Sequence, residues 1–488
     1  MGNARGFERI DPNLPSVRSL RMKPALVWFR QDLRLSDNPA LAFAAKSGRP
    51  LICLYILDDE TPGQWALGGA ARWWLHHSLA ALDKGLARHG GKLLLRRGRA
   101  GKVLDAVLSE TGAALLAWNR RHEPFAVARD SGLKDRFRQD GIAVESFNAS
   151  LLFEPWEIAT KDGRPFRVFT PFWNALRQKT EPGKPQSAPR ALKFAPPVKG
   201  DVLKDWELLP TKPDWAEEFD WTPGEASARR ALSTFLETIS DYAKSRDIPE
   251  MDGTSRLSPH LNFGEIGPRQ IWHAVKSHGL ARSPGAQTFL KELGWREFCA
   301  QLLFHNPDLP DEPLDKRFSK FEWNAGEKKF EAWCKGKTGI PIVDAGMRQL
   351  WQTGWMHNRV RMIAASFLVK HLGIHWKEGQ AWFWDTLVDA GLASNAANWQ
   401  WVAGSGADAA PFFRIFNPVL QGEKFDPEGG YVRRFVPELK NVPDKYVHRP
   451  WDLPDPPTNY PKPIVDLAEG RARALKAFKA LSAKQPKG

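Results

Sequence analysis

Leu51-Ile52-Cys53-Leu54-Tyr55-Ile56-Leu57 is seven residues without a charge or a turn-former. An uninterrupted apolar run of strand length suits a strand covered on both faces, as in the parallel sheet of an α/β fold. Similar short runs occur at 24–29, 93–95, 114–118 and 142–147, separated by helical stretches such as 71–88. Strands alternating with helices predict βαβ units, so residues 23–150 are expected to form a Rossmann-like α/β domain with a parallel sheet. From about 180 to 225 the chain carries Glu-Pro-Gly-Lys-Pro, Ala-Pro-Pro, Leu-Pro and Thr-Pro. Such sequence cannot sustain a regular period, and 151–225 is assigned to an interdomain connection. Helical spacing then dominates 226–245, 286–305, 340–372 and 376–390, so 226–480 should be an all-helical second domain. Residues 1–22 read as a flexible tail.

Two domains agree with a length of 488 residues, more than one core usually organises. A formal net charge of +14 favours a polyanionic partner, nucleic acid first, because Lys and Arg on phosphates release condensed counterions. Charge alone is equally compatible with a merely soluble basic surface. Twenty-two tryptophans are a surplus that points to stacking surfaces, redox residues or both, with core packing still the plain reading of any single one. Cys53, Cys299 and Cys334 form no C-x-x-C pair, which argues against a disulfide framework or a zinc site. No run of 18 apolar residues suggests a membrane span, and the opening Met-Gly-Asn-Ala-Arg-Gly has no hydrophobic signal core. A cytoplasmic monomer is expected.

Several motifs fail on context. Gly404-Ser-Gly406-Ala-Asp-Ala409 has dinucleotide-loop spacing but follows a Trp-rich helical region, not a first strand. Gly336-Lys337-Thr338 has Glu331 where a phosphate loop begins with Gly, and Ala403 precludes a nucleophile elbow at 404–406. His371 and His375 stand four apart with no third ligand nearby, so no metal is expected.

Four segments carry chemistry. Gly253-Thr254-Ser255-Arg256-Leu257-Ser258 precedes Pro259, which marks a helix start, where hydroxyls, a guanidinium and free N–H groups suit a phosphate. Ordinary helix capping would use the same residues. Glu292, Trp295 and Arg296 share a helical turn, where desolvation beside an indole could raise a carboxyl's proton affinity; a salt-bridged surface is the plainer reading of that trio. Asn358 and Met362 share one face with Arg361 beside them, opposite the apolar stripe Met356, Val360, Ile363 and Phe367. Finally, Asp389-Ala390-Gly391-Leu-Ala-Ser-Asn395-Ala-Ala-Asn398-Trp399-Gln-Trp401 offers Asp389 as a partner for Arg361 and Asn395 as an uncharged donor and acceptor.

Together these segments resemble the photolyase and cryptochrome family over about residues 24–465, with Trp28-Phe29-Arg30-Gln31-Asp32-Leu33-Arg34 and Phe413-Arg414-Ile-Phe-Asn-Pro also similar. The resemblance implies an N-terminal antenna domain and a helical domain holding FAD. Asn358 with Met362, and Asn395 near the flavin N5, resemble the cyclobutane pyrimidine dimer photolyases; plant-type cryptochromes carry Asp and (6-4) photolyases a His-rich pocket. Arg72-Trp73-Trp74-Leu75-His76-His77 and Glu154-Pro-Trp156 look like the bacterial class III enzymes.

By resemblance, Tyr242, Thr254 to Ser258, Arg296, Asn358, Arg361, Asp389, Ala390, Gly391 and Asn395 would hold FAD. Arg246, Glu292, Trp295, Asn358, Arg359, Met362, Trp401 and Arg414 would meet damaged DNA with its flipped dimer, single or double stranded. Glu292 and Asn395 are the implied catalytic side chains, and Trp399, Trp376 and Trp323 the implied photoreduction chain. Asn119 and Glu123 would contribute to an antenna site for methenyltetrahydrofolate, with a deazaflavin as alternative. The implied activity is light-driven dimer repair by electron transfer from excited reduced FAD; the competing readings are a cryptochrome-like photoreceptor without repair and a light-independent nucleotide or nucleic-acid binder. In one place the chain departs from the family, with Gly391 where an acid is usual.

Overall fold

The computed structural model describes residues 22–179, 181–324, 326–409 and 413–483. Apart from Met22, the tail expected at 1–22 lies outside the described residues.

Five strands, β1 (Ala25–Phe29), β2 (Leu51–Leu57), β3 (Leu93–Arg97), β4 (Leu115–Asn119) and β5 (Ala143–Phe147), form one sheet in the order β3-β2-β1-β4-β5. Every pairing is parallel, with Ala25 opposite both Leu51 and Leu115. The continuous apolar runs are explained by what covers the sheet. Val27, Cys53 and Ala117 join one core with the Gly69–Ala87 helix, whereas Leu26, Leu54 and Leu116 join a second with Ala100–Thr111 and Pro124–Gln139. Successive residues point to opposite faces, so a strand buried on both has no polar position. Strand order reverses between β1 and β4, and the loops leaving their carboxyl ends open a crevice there.

The rest is helical, as expected, with two corrections. The stretch 340–372 is not one helix: Pro341–Thr353 stops at Gly354, and a new helix runs Asn358–Ser366 before widening into a π-turn, Phe367–Leu372. Gly354 lies at φ +66°, and a Cβ there would come within 2.7 Å of Phe219 and 2.8 Å of Val388, so the break is built into the packing. The connection 151–225 also contains a helix, Phe169–Gln178, whose buried Phe169, Phe172 and Trp173 pack on Pro284–His305. Its partner makes room: a Cβ on Gly294 would stand 2.5 Å from the Trp173 ring. Short polar flanks hid this helix, and long-range burial creates it.

Two helices near the crevice share one start. His357 and His375 cap Asn358–Ser366 and Trp376–Thr386 by accepting, at Nδ1, the N–H of Arg359 at 3.2 Å and of Lys377 at 3.1 Å. Burial depresses both imidazoles to about 4, and a neutral ring is what a cap acceptor requires. Among the described residues no helix is long and apolar enough to cross a membrane, and no group of His, Cys, Asp and Glu could hold a metal.

Candidate flavin and lesion site

The sheet's crevice continues into a cavity of about 770 Å³ between the domains, within the range of cofactor sites. Every residue expected to touch FAD, the lesion or an antenna lines it; Trp376 and Trp323, expected to lead away, do not.

One wall joins three segments distant in sequence. Arg361 Nη1 and Nη2 donate to Asp389 at 3.0 and 2.9 Å, its Nε donates to the Met356 carbonyl at 2.7 Å, and Ser258 Oγ donates to Asp389 at 2.6 Å. The fork fixes the guanidinium plane, so the loop before Ser258, the 358–366 helix and the turn at 389 are held as a unit. In that loop Arg256 sits at φ +49°, a conformation few non-glycine residues adopt. Its guanidinium lies 5.4 Å from the ring centre of Trp355 and 5.7 Å from that of Trp221, and it pairs with Asp252 at 3.3 Å. Thr254, Ser255, Leu257 and Ser258 follow along the cavity at the start of the Ser258–Asn262 helix.

Asn395 is buried in the next wall. Its Nδ2 donates to the Gln380 carbonyl at 3.0 Å, which fixes the amide and leaves Oδ1 with no protein donor among the described residues. Ala390 and Gly391 line the cavity before it, and Tyr242 closes another side, edge-on to Phe235 and Phe289 with its phenol pushed up by burial.

Toward solvent, Trp295 stacks on Phe169 with ring centres 3.6 Å apart, and the Arg414 guanidinium stands 5.9 Å from the Trp401 ring. Arg359 pairs with Asp247 at 2.8 Å and directs Nη1 at the Met362 sulfur 3.9 Å away, while Asn358 is exposed at the head of its helix. Of the two readings of Glu292, the structure has the plainer one, an ion pair: its carboxylate is bound by the Arg246 guanidinium and is 30% exposed. Arg246 approaches from the Tyr242–Ser245 helix, a long-range pairing no helical spacing reveals.

At the α/β end, Asn119 is committed by its amide to Asp32 at 2.6 Å and Asn38 at 2.7 Å. Glu123 is paired with Arg121 at 2.7 Å, and that guanidinium is the main influence lowering its carboxyl to about 2, against the desolvation that alone would raise it. Arg296 lies at this end as well: it donates to the Ser150 carbonyl at 2.6 Å and stands 3.5 Å from Glu297, so its guanidinium is engaged away from the Arg361–Asp389 fork.

The three tryptophans differ in exposure, from the buried Trp399 and Trp376 to the half-buried Trp323. Trp399 lines the cavity and is 3% exposed, meets Phe383 at 5.0 Å, and crosses Gly379 so closely that a Cβ would lie 2.1 Å from its ring. Trp376, buried, is one turn before Gly379 on the same helix. The His375 ring, 5.5 Å from Trp376 and 4.9 Å from Trp323, stands beside both, and Trp323 is half-buried.

Asn262, Trp355 and Asn398 also line the cavity and were not among the expected residues. Asn262 follows Ser258 by four residues, helical spacing that could have found it. Trp355 stood within a noted Trp-Met-His-Asn-Arg stretch, but only folding brings two guanidinium groups over it.

Comparison with known proteins agrees with this geometry. Residues 25–190 match the family model described as DNA photolyase, and 289–480 the FAD binding domain of DNA photolyase. The chain is 53% identical over 480 residues to a deoxyribodipyrimidine photo-lyase of Agrobacterium fabrum, covering 95% of this chain and 99% of that protein. It is 40% identical to cryptochrome-1 of Arabidopsis thaliana, covering 93% of this chain and 70% of the relative. A crystal structure of a bacterial class III photolyase from Agrobacterium tumefaciens superposes with a TM-score of 0.92 at 52% identity, covering 96% of this chain and all of that one. The chain belongs to the photolyase and cryptochrome family.

Proposed function

We propose that the protein is a deoxyribodipyrimidine photo-lyase that uses FAD and blue light to split cyclobutane pyrimidine dimers in DNA. One observation carries the reading. A single cavity presents the Arg361–Asp389 fork, the 254–258 hydroxyl loop and the buried Asn395 on one side, and Glu292, Trp295 and Trp401 at its mouth. The donor set suits a flavin dinucleotide: hydroxyls and helix-start amides for phosphate, and an amide with a free oxygen for a heterocycle edge.

Bound there, reduced FAD would supply light-driven electron-donor chemistry for opening the cyclobutane ring and would recover the electron afterwards. The residues do the rest. Arg246, Arg359 and Arg414, cations near the mouth, grip backbone phosphates; flipping a crosslinked pair from the duplex is favoured because it stacks and pairs poorly. Trp295, held flat by Phe169, and Trp401 pack against the pyrimidine rings, and Asn358 and Met362 meet their edges. Glu292 accepts a hydrogen bond from the pyrimidines while Arg246 holds its carboxylate in place. Asn395 would set the polarity beside the bound flavin, and Trp399, Trp376 and Trp323 would relay electrons inward from the surface.

An antenna chromophore, methenyltetrahydrofolate with a deazaflavin as alternative, would occupy the α/β end lined by Asn119 and Glu123; a crevice at the strand-order reversal supports this placement. The protein would act as a cytoplasmic monomer. The test is repair of ultraviolet-damaged DNA by flavin-loaded protein: thymine absorbance should return under blue light and not in darkness. A flavin-loaded sample without light-dependent repair would overturn the assignment and favour a photoreceptor.

A further inference from the structure

Gly391 is the sole glycine among the described residues lining the cavity, and its backbone gives no reason for it. At φ −98° and ψ 130° it is extended, a conformation every residue adopts. The reason lies across the gap. A Cβ on residue 391 would stand 3.0 Å from Oδ1 of Asn262, inside ordinary van der Waals contact.

Asn262 ends the Ser258–Asn262 helix, and its half-buried carboxamide lies over the turn that carries Asp389 and Ala390. Nδ2 reaches the Ala390 carbonyl at 3.5 Å, a long contact that orients the amide, and among the described residues Oδ1 receives no donor. A cavity-lining amide oxygen without a protein donor is available to accept an N–H from a ligand. Two neighbouring residues of the cavity lining are therefore coupled: a Cβ at 391 would press on the carboxamide of Asn262 and oblige it to give by a few tenths of an ångström.

We propose that Asn262 is a further FAD-binding residue, offering a neutral acceptor to an N–H of the flavin dinucleotide, and that Gly391 is present to admit it. This rests on the reading of the cavity as a FAD site. The oxygen is uncharged, so the floor accepts a hydrogen bond without placing a negative charge beside Asp389. A carboxylate in the same place would oppose electron gain by a bound flavin and favour its oxidised form.

The test uses the full-length holoprotein, with FAD dissociation followed by the rise of free-flavin fluorescence and the flavin midpoint potential measured by redox titration. Asn262→Ala should raise the Kd for FAD roughly 2- to 12-fold, the worth of one neutral hydrogen bond. Asn262→Asp, which keeps the size, should shift the midpoint potential to a more negative value. Gly391→Ala should raise the Kd by less than Asn262→Ala, because the carboxamide need move only a few tenths of an ångström to clear the added methyl; if that variant fails to fold, the two Asn262 variants at a half-buried helix end decide alone. Wild-type Kd in Asn262→Ala together with an unmoved potential in Asn262→Asp would overturn the proposal. Failure of the wild-type protein to bind FAD would instead overturn the FAD reading of the cavity, so the two failures are distinguishable.

Discussion

Replacing Gly379 by Ala tests the electron path with a single methyl group. A Cβ there would lie 2.1 Å from Cη2 and 2.6 Å from Cζ3 of Trp399, and 2.7 Å from Leu368. Carbon atoms rest about 3.5–4.0 Å apart, so the indole must retreat by about 1.4–1.9 Å or the Trp376–Thr386 helix must shift away from it. Trp399 is pinned on its other sides by Phe383 at 5.0 Å and Trp333 at 6.2 Å, so neither movement is free. Overpacking of this kind costs about 1–3 kcal/mol, and roughly 1 kcal/mol returns because Ala is the better helix former. The expected net loss is about 0–2 kcal/mol, a fall in Tm of at most a few degrees. The functional loss should be larger than the stability loss, because the change moves the first indole beside the cavity relative to Trp376. The assay is the bleaching of oxidised-flavin absorbance under blue light with an external thiol. Repair by chemically reduced enzyme is the control and should be near wild type, because the lesion side is untouched. A lowered Tm with photoreduction at the wild-type rate would show that the clash occurs and that Trp399 is not on the path.

Asp389→Asn should cost about 3 kcal/mol and release FAD, since it leaves the Arg361 guanidinium in a part-buried site without its charge partner; thermal unfolding and flavin content check it. Glu292→Ala should lower the repair quantum yield roughly tenfold with FAD content unchanged, and Arg246, freed from the pair, should leave affinity for undamaged DNA equal or higher in a titration. His357→Asn should flatten the acid limb of stability. The folded imidazole titrates near 4 against 6.5 unfolded, so in that window the unfolded chain binds more protons and stability falls as pH falls from 6.5 toward 4, by at most about 3 kcal/mol for this group. Asn caps without titrating, and Tm measured from pH 7 to 4 should therefore decline less in the variant.

Local pattern legibly encoded the sheet. Leu51–Leu57 could be assigned because burial on both faces removes every polar position, a condition visible in one segment. The cavity's residue set was legible for a related reason: spacing puts Asn358 and Met362 on one face, and the motifs' likeness to a known family supplied their grouping. The partnerships were not. Arg361 with Asp389 could be anticipated as complementary charges, yet Arg246 on Glu292, Phe169 under Trp295 and the Ser150 carbonyl on Arg296 join residues 46, 126 and 146 positions apart. The Phe169–Gln178 helix was missed for the same reason, its stability coming from the face it buries on a partner far along the chain.

The amino-acid sequence by itself determined the class of each domain, the order of the strands along the chain and the identities of many, not all, of the side chains that line the cavity, because periodicity and residue chemistry are local properties. Tertiary structure alone decided which of those side chains face one another, that Glu292 is held by a guanidinium and that Gly391 lies against the Asn262 carboxamide. Contacts between distant segments depend on how whole elements pack, and no window of sequence contains both partners.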